Sequence, residues 1–264
     1  MESTHCANCG AALDPSYKAC PQCGQKTAIH RFTVPHFLHE LFHAFTHADK
    51  SVVMLARELI IRPGTVLKEY IIEGKRKKYF NPFTFLIIVL GFSVFMNSVF
   101  HPLQKNSYFT AERVQAEKSV KKQKLLQTFN EKQQKINAFV EKRSNIVTFV
   151  IAPIMAFAFW LVFKGKHLNF AEHLVSYLIL TSMLSLFSSI CFTPLMGVLP
   201  YEKFYLVALG NVVVQLLYTC YAYKSFLNLK GIGELFLVVV ANLLGMLIWL
   251  FLLTVVSFIY LLVF

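Results

Sequence analysis

The chain has 264 residues, 56% of them hydrophobic and only 15% charged, with a formal net charge of +12 and a mean hydropathy of +0.52. That composition is too apolar for an ordinary soluble domain. The excess positive charge comes without any basic-aromatic binding module, so it points to membrane topology and lipid contact, and no nucleic-acid partner is expected.

The first residues, "MESTHCANCG", lack the basic start and apolar core of a secretory signal, so the N-terminal third is expected in the mature protein. Cys6-x2-Cys9 and Cys20-x2-Cys23 follow, each pair ending in glycine: "CANCG" and "CPQCG". Two such turns place four thiolates around one tetrahedral Zn²⁺. Paired disulfides are the alternative, and the x2 spacing followed by Gly disfavours them. With so short a module the metal supplies most of the folding energy. Four protein ligands close the site, which makes it structural rather than catalytic. Cys191 and Cys220, inside apolar runs, read as small core hydrophobes.

Pro35 can open a helix, with Thr33 nearby as a cap. In such a helix His36, His39, Glu40, His43 and His47 fall within an arc of about 100°. Phe37, Leu41 and Phe45 lie opposite. The stripe contains H-E-x-x-H, the pattern of zinc peptidases, in which Glu40 would be the catalytic base. His36 and His47 extend the array further than a mononuclear peptidase site needs. A dinuclear, iron-type or regulatory site fits that surplus at least as well. Two other readings stay open: a protonation-sensitive face on lipid headgroups, and ordinary interfacial packing.

Pro63-Gly64 breaks the next helical pattern, and Gly74 ends another before the basic run Lys75, Arg76, Lys77 and Lys78. That run suits anionic lipid headgroups or an anionic substrate at the interface. Tyr79 and Phe80 read as headgroup-level anchors, and Asn81-Pro82 opens the first span.

Five apolar blocks follow: Phe83–Phe100, Ile146–Phe163, Leu174–Leu199, Phe204–Tyr223 and Leu235–Phe264. Each is long enough to cross a hydrocarbon core of about 30 Å as a helix. The last is longer than one span and too short for two. A reducing compartment for the thiolates places the N-terminus in the cytoplasm. The lysines at 164, 166, 224 and 230 then lie inside, as the positive-inside rule requires. The lysine-rich connection 102–145 resists this assignment and leaves its side open. Within it Leu125, Phe129, Ile136 and Val140 share a helical face, suited to lying on the membrane or packing on another copy of the chain.

Just before the third span, "HLNFAEHLVSY" sets Glu172 and His173 at a span entrance on the side of the histidine stripe. They complete a candidate second metal site, zinc or iron, with His36, His39, His43 and His47. The competing reading is a helix start, with Asn169 as cap and Glu172 in the first turn. Asn211, Gln215 and Asn242 lie inside spans, where polar groups usually tie helices together.

The segments "CPQCGQK", "HRFTVPHFLHELFHAFTHADK", "RPGTVLKEYIIEGKRKKYFNPFTFLI" and "NFAEHLV" resemble a bacterial family of integral membrane proteins of unknown function, often with an N-terminal double-CxxC knuckle. The resemblance implies a multi-pass protein of the bacterial inner membrane and carries no reaction with it.

The expected protein is thus mainly α, with about five transmembrane helices. It has a zinc ribbon at 1–28, interfacial helices at 29–82, and a transmembrane domain at 83–264 with the amphipathic loop at 102–145. Its expected role is metal-dependent or regulatory at the cytoplasmic membrane face, with membrane lipids and a second copy as partners. A membrane metalloenzyme acting on lipid or peptide is the alternative, and a transporter the third. Whether the chain is an enzyme stays open.

Overall fold

The computed structural model describes residues 5–27, 33–35, 52–103, 115, 117 and 119–263. Among them the chain is mainly helical, without strands. The short helices α1 (Val52–Ile61) and α2 (Pro63–Leu67) lead through a wide π-turn, Lys68–Ile72, to the first long helix, α3 (Pro82–Phe100). Then come α4 (Val120–Lys142), α5 (Ser144–Val162), α6 (Phe170–Phe187), a second π-turn at Ser188–Phe192, α7 (Thr193–Val198), α8 (Tyr201–Phe226) and α9 (Ile232–Val263).

Five helical stretches are long and apolar enough to cross a membrane: Pro82–Phe100, Ser144–Val162, Phe170–Val198, Lys203–Phe226 and Ile232–Val255. The last block is one continuous helix, as its length required. The third span begins four residues earlier than hydropathy alone suggests. There Asn169 accepts the Glu172 N–H while the Glu172 carboxylate accepts the Asn169 N–H, a reciprocal cap that sets the start at Phe170. Asn81 does the same work for α3, its side chain accepting from Phe83 N–H at 2.9 Å.

The third span is central. Half of its apolar window is buried inside the protein, against 6% for the fourth, whose apolar surface is left for lipid. Lipid tails are as apolar as the helices, so close packing of small groups holds them together. On α9 Gly245 admits the Met155 thioether of α5 into the space a β-carbon would take, with Ala158 in contact beside it. Ala152, Ala156 and Ala158 are themselves fully buried.

On α4, Phe129, Ile136 and Val140 are half-buried, but Leu125 is exposed. The expected face is therefore covered only in the part of α4 nearer α5. There Glu141 is buried and accepts the Leu103 N–H, pinning the connection that follows α3.

At the opposite end of the bundle α1 and α2 lie across the helix ends. Gly64 is pressed against the α8 backbone: an added β-carbon would sit 2.6 Å from Ser225 Cβ and 2.7 Å from Phe226 N. Tyr218 and Tyr221 of α8 donate their hydroxyls to the carbonyls of Leu59 and Ile61, at 2.9 and 2.5 Å. Carbonyls at a helix C-terminus have no partner within the helix, and these two tyrosines supply one. Leu55, Leu59, Val66 and Leu67 are buried beneath.

Candidate metal centre and the loop it meets

Two copies of one local structure build the N-terminal site. In the first, Gly10 N–H donates to Cys6 O and Cys6 N–H to Ala11 O; in the second, Gly24 N–H donates to Cys20 O and Cys20 N–H to Gln25 O, all at 2.8 Å. Each knuckle turns on a glycine with positive φ, 77° at Gly10 and 69° at Gly24, where a β-carbon would be strained. Isolated bridges, His5 with Ala12 and Ala19 with Lys26, close the pair.

The result brings four free thiols together. Cys6 Sγ lies 3.6 Å from Cys23 Sγ, Cys9 Sγ lies 3.7 Å from Cys20 Sγ, and all four sulfurs fall within 4.8 Å of one another. A tetrahedron with metal–sulfur bonds of about 2.3 Å has edges of about 3.8 Å. The sulfur positions therefore fit one tetrahedral thiolate-bound ion, and they are too far apart for disulfides.

The thiols also perturb one another. At Cys9 the Ala11 N–H lowers the pKa, but desolvation and hydrogen bonds among the neighbouring thiols outweigh it and push it up to about 12. At Cys23 the Gln25 N–H holds the thiol down to about 7. A bound cation removes this conflict by favouring all four thiolates at once.

The residue after the second knuckle reaches toward the bundle. Gln25 is buried, and its side-chain oxygen accepts the backbone N–H of Lys77 at 3.1 Å. That contact joins the cysteine module to the basic loop. Glu69, on the first π-turn, organises the loop by accepting from Lys78 Nζ at 2.6 Å and from the Tyr79 hydroxyl, with Lys75 Nζ 3.6 Å away. Burial alone would raise the Glu69 carboxyl. The hydrogen bonds from Lys78 and Tyr79 and the charges of Lys78 and Lys75 outweigh it, so the pKa sits below the ordinary value. Burial, then the bond to Glu69, pushes the Tyr79 phenol up.

Lys75 also pairs with Glu73 at 2.7 Å. Lys75 and Lys78 are thus engaged within the protein, while Lys77 is exposed. Tyr79 and Phe80, expected at headgroup level, are buried instead, because Glu69 draws the Tyr79 hydroxyl inward.

Glu172 and His173 are buried at the start of α6, next to α1 and α2. The Glu172 carboxylate serves the helix cap. The His173 ring stacks on Tyr223, with centroids 6.3 Å apart and planes 5° from parallel. Its Nδ1 lies 3.5 Å from the Tyr223 hydroxyl, while Nε2 has no hydrogen-bond partner among the described residues. His36, His39, Glu40, His43 and His47 lie outside the described residues, so only the Glu172–His173 half of the composite second site is visible. Among the described residues, the four cysteines are the cluster close enough to hold a metal ion.

Sequence reasoning missed Gln25 and Glu69. Gln25 meets Lys77 across 52 residues, and no local pattern announces such a pairing. Glu69 could have been suspected as one of two acids, with Glu73, just before a basic run. A family model described as a protein of unknown function (DUF3667) matches residues 56–94, the stretch holding Gly64, Glu69 and the basic loop. The chain is similar to that family there. No curated protein and no solved structure matches.

Proposed function

We propose that this is a regulatory or scaffolding protein of a bacterial inner membrane. Its cytoplasmic ribbon, loaded with zinc, sets the position of the basic juxtamembrane loop against the lipid surface. The observation that carries the reading is the bond from Lys77 N–H to Gln25, since it makes the loop's position depend on a module that the metal folds. A closed four-thiolate site supports a structural rather than a catalytic use of the ion.

The test uses the full chain in nanodiscs containing anionic lipid. Metal analysis should find one equivalent of zinc, lost on Cys20→Ser. Gln25→Ala should keep the zinc yet raise hydrogen exchange at 75–80 toward the level reached after chelation. Unchanged exchange in both states would sink the coupling. A second equivalent of metal, lost in His39→Ala or His43→Ala, would turn the reading toward the metalloenzyme.

A further inference from the structure

A cavity of about 350 Å³ lies among all five long helices, away from the cysteine site. That is within the range of small-molecule pockets and equals the liquid volume of about a dozen waters. Its wall carries ten hydroxyl side chains and three amides, and no Asp, Glu, Lys, Arg or His. Such a concentration of neutral polar groups inside an apolar bundle needs a reason beyond tying helices together.

The hydrogen bonds give the cavity a sense. Thr148, on α5, donates to its own helix at Ser144 O; Thr219, on α8, donates to Gln215 O; and Asn242, on α9, donates its amide hydrogen to Val238 O. Ser189 donates to Ser93, which in turn donates to Val89 O. These bonds use four of the ten hydroxyl hydrogens and one amide hydrogen within the protein, so the wall presents lone pairs beside the remaining hydroxyl and amide donors. An anion would be desolvated with no cationic side chain to offset the cost. A cation would be desolvated with no carboxylate to offset a cost of several kcal/mol. A neutral group bearing several O–H donors fits.

Backbone geometry keeps the polar stripe in line. Over twelve residues of α-helix, Thr193 would rotate about 120° away from Thr181. The π-turn at Ser188–Phe192 sets the phase back by about one residue, or 100°, and returns Thr193 to the cavity. Toward the ribbon end the cavity stops. Phe159, Phe163, Tyr223 and Phe226 are buried together there, with Phe159 and Tyr223 ring centroids 4.4 Å apart. Asn97 and Ser144, near the other helix ends, line the cavity. Asn97 donates to Ser144 Oγ there at 3.1 Å, so the cavity extends toward the end remote from the ribbon and is closed by the aromatic cluster on the ribbon side.

We infer that this pocket binds an uncharged polyol group, either a free sugar or polyol or the neutral headgroup of a glycolipid. Trp249 lines the pocket, and Trp160→Phe leaves it as the sole indole. The experiment takes full-length Trp160→Phe protein in an amine-oxide detergent and follows Trp249 fluorescence. It is titrated separately with glucose, monoglucosyl diacylglycerol, sodium chloride and phosphatidylglycerol. A saturable response to glucose identifies a free-polyol site; one to the glycolipid alone identifies a headgroup site. Thr219→Val, or Asn242→Leu should that variant fail to fold, should weaken the response about tenfold, the worth of one lost hydrogen bond to a bound group. No saturable response to either sugar probe overturns the inference. So does an equal response to sodium chloride or phosphatidylglycerol, or an unchanged affinity in a folded variant.

Discussion

Replacing Gly64 by alanine tests the packing of the juxtamembrane segment most directly. The added methyl would meet α8 backbone at Ala222 O and Phe226 N, and the Ser225 Cβ at 2.6 Å. Ordinary contact begins near 3.4 Å, so the segment must retreat by roughly 1 Å or α8 must bend. Two of these neighbours are backbone atoms and cannot swing aside. Overpacking of this kind costs about 1–3 kcal/mol. At about 2–4 °C per kcal/mol for a chain near this size, the midpoint should fall by about 2–12 °C. Scanning calorimetry or a thiol-reactive melt in detergent would measure it, with trypsin cleavage after Arg57 or Lys68 as a local readout. Gly91→Ala is the control, since a β-carbon there meets nothing within 4 Å and alanine is the better helix former. Equal melting and equal protease resistance for the two variants would refute the claim that α2 is wedged against α8.

Three further outcomes are expected. The Glu69 carboxyl is held below its ordinary value in the folded chain, so its contribution is present above the unfolded pKa, near 4.5, and fades as pH falls through the folded value. Melts between pH 3 and 7 should therefore show a loss on the acid side that Glu69→Gln flattens. Asn169→Ala removes the side-chain acceptor of the α6 cap, leaving the backbone N–H of residue 169 bonded to Glu172, and should cost about 1 kcal/mol, whereas Glu172→Gln, which keeps an acceptor at the same reach, should cost less. Simultaneous Tyr218→Phe and Tyr221→Phe should speed amide exchange in α1 without changing helix content by circular dichroism.

The spans were legible because each carries its signal in a contiguous apolar run, and hydropathy needs no partner to be read. The thiol cluster was legible for a similar reason: x2 spacing with a following glycine encodes the knuckle within five residues. Glu172 was open to two readings from sequence, since one carboxylate near Asn169 and His173 suits a cap or a ligand equally, and the reciprocal bonds to Asn169 account for its carboxylate. What stayed hidden depends on distance along the chain. Nothing near Gln25 points to Lys77, and nothing near Leu59 points to Tyr218. Thr181, Ser185, Ser188 and Ser189 share a helical face by spacing alone, but Thr193 joins them only through the wide turn, which no local pattern announces.

The two tyrosine bonds to α1 have a consequence for how the molecule is made. Their partners are separated by 159 and 160 residues. At about 5–20 residues per second, ribosomes reach the fourth span roughly 8–30 s after completing α1. Through that interval the newborn segment has neither its wedge nor its carbonyl partners. Its final seating is thus a late event of biogenesis, one that reports that most of the bundle has already been threaded.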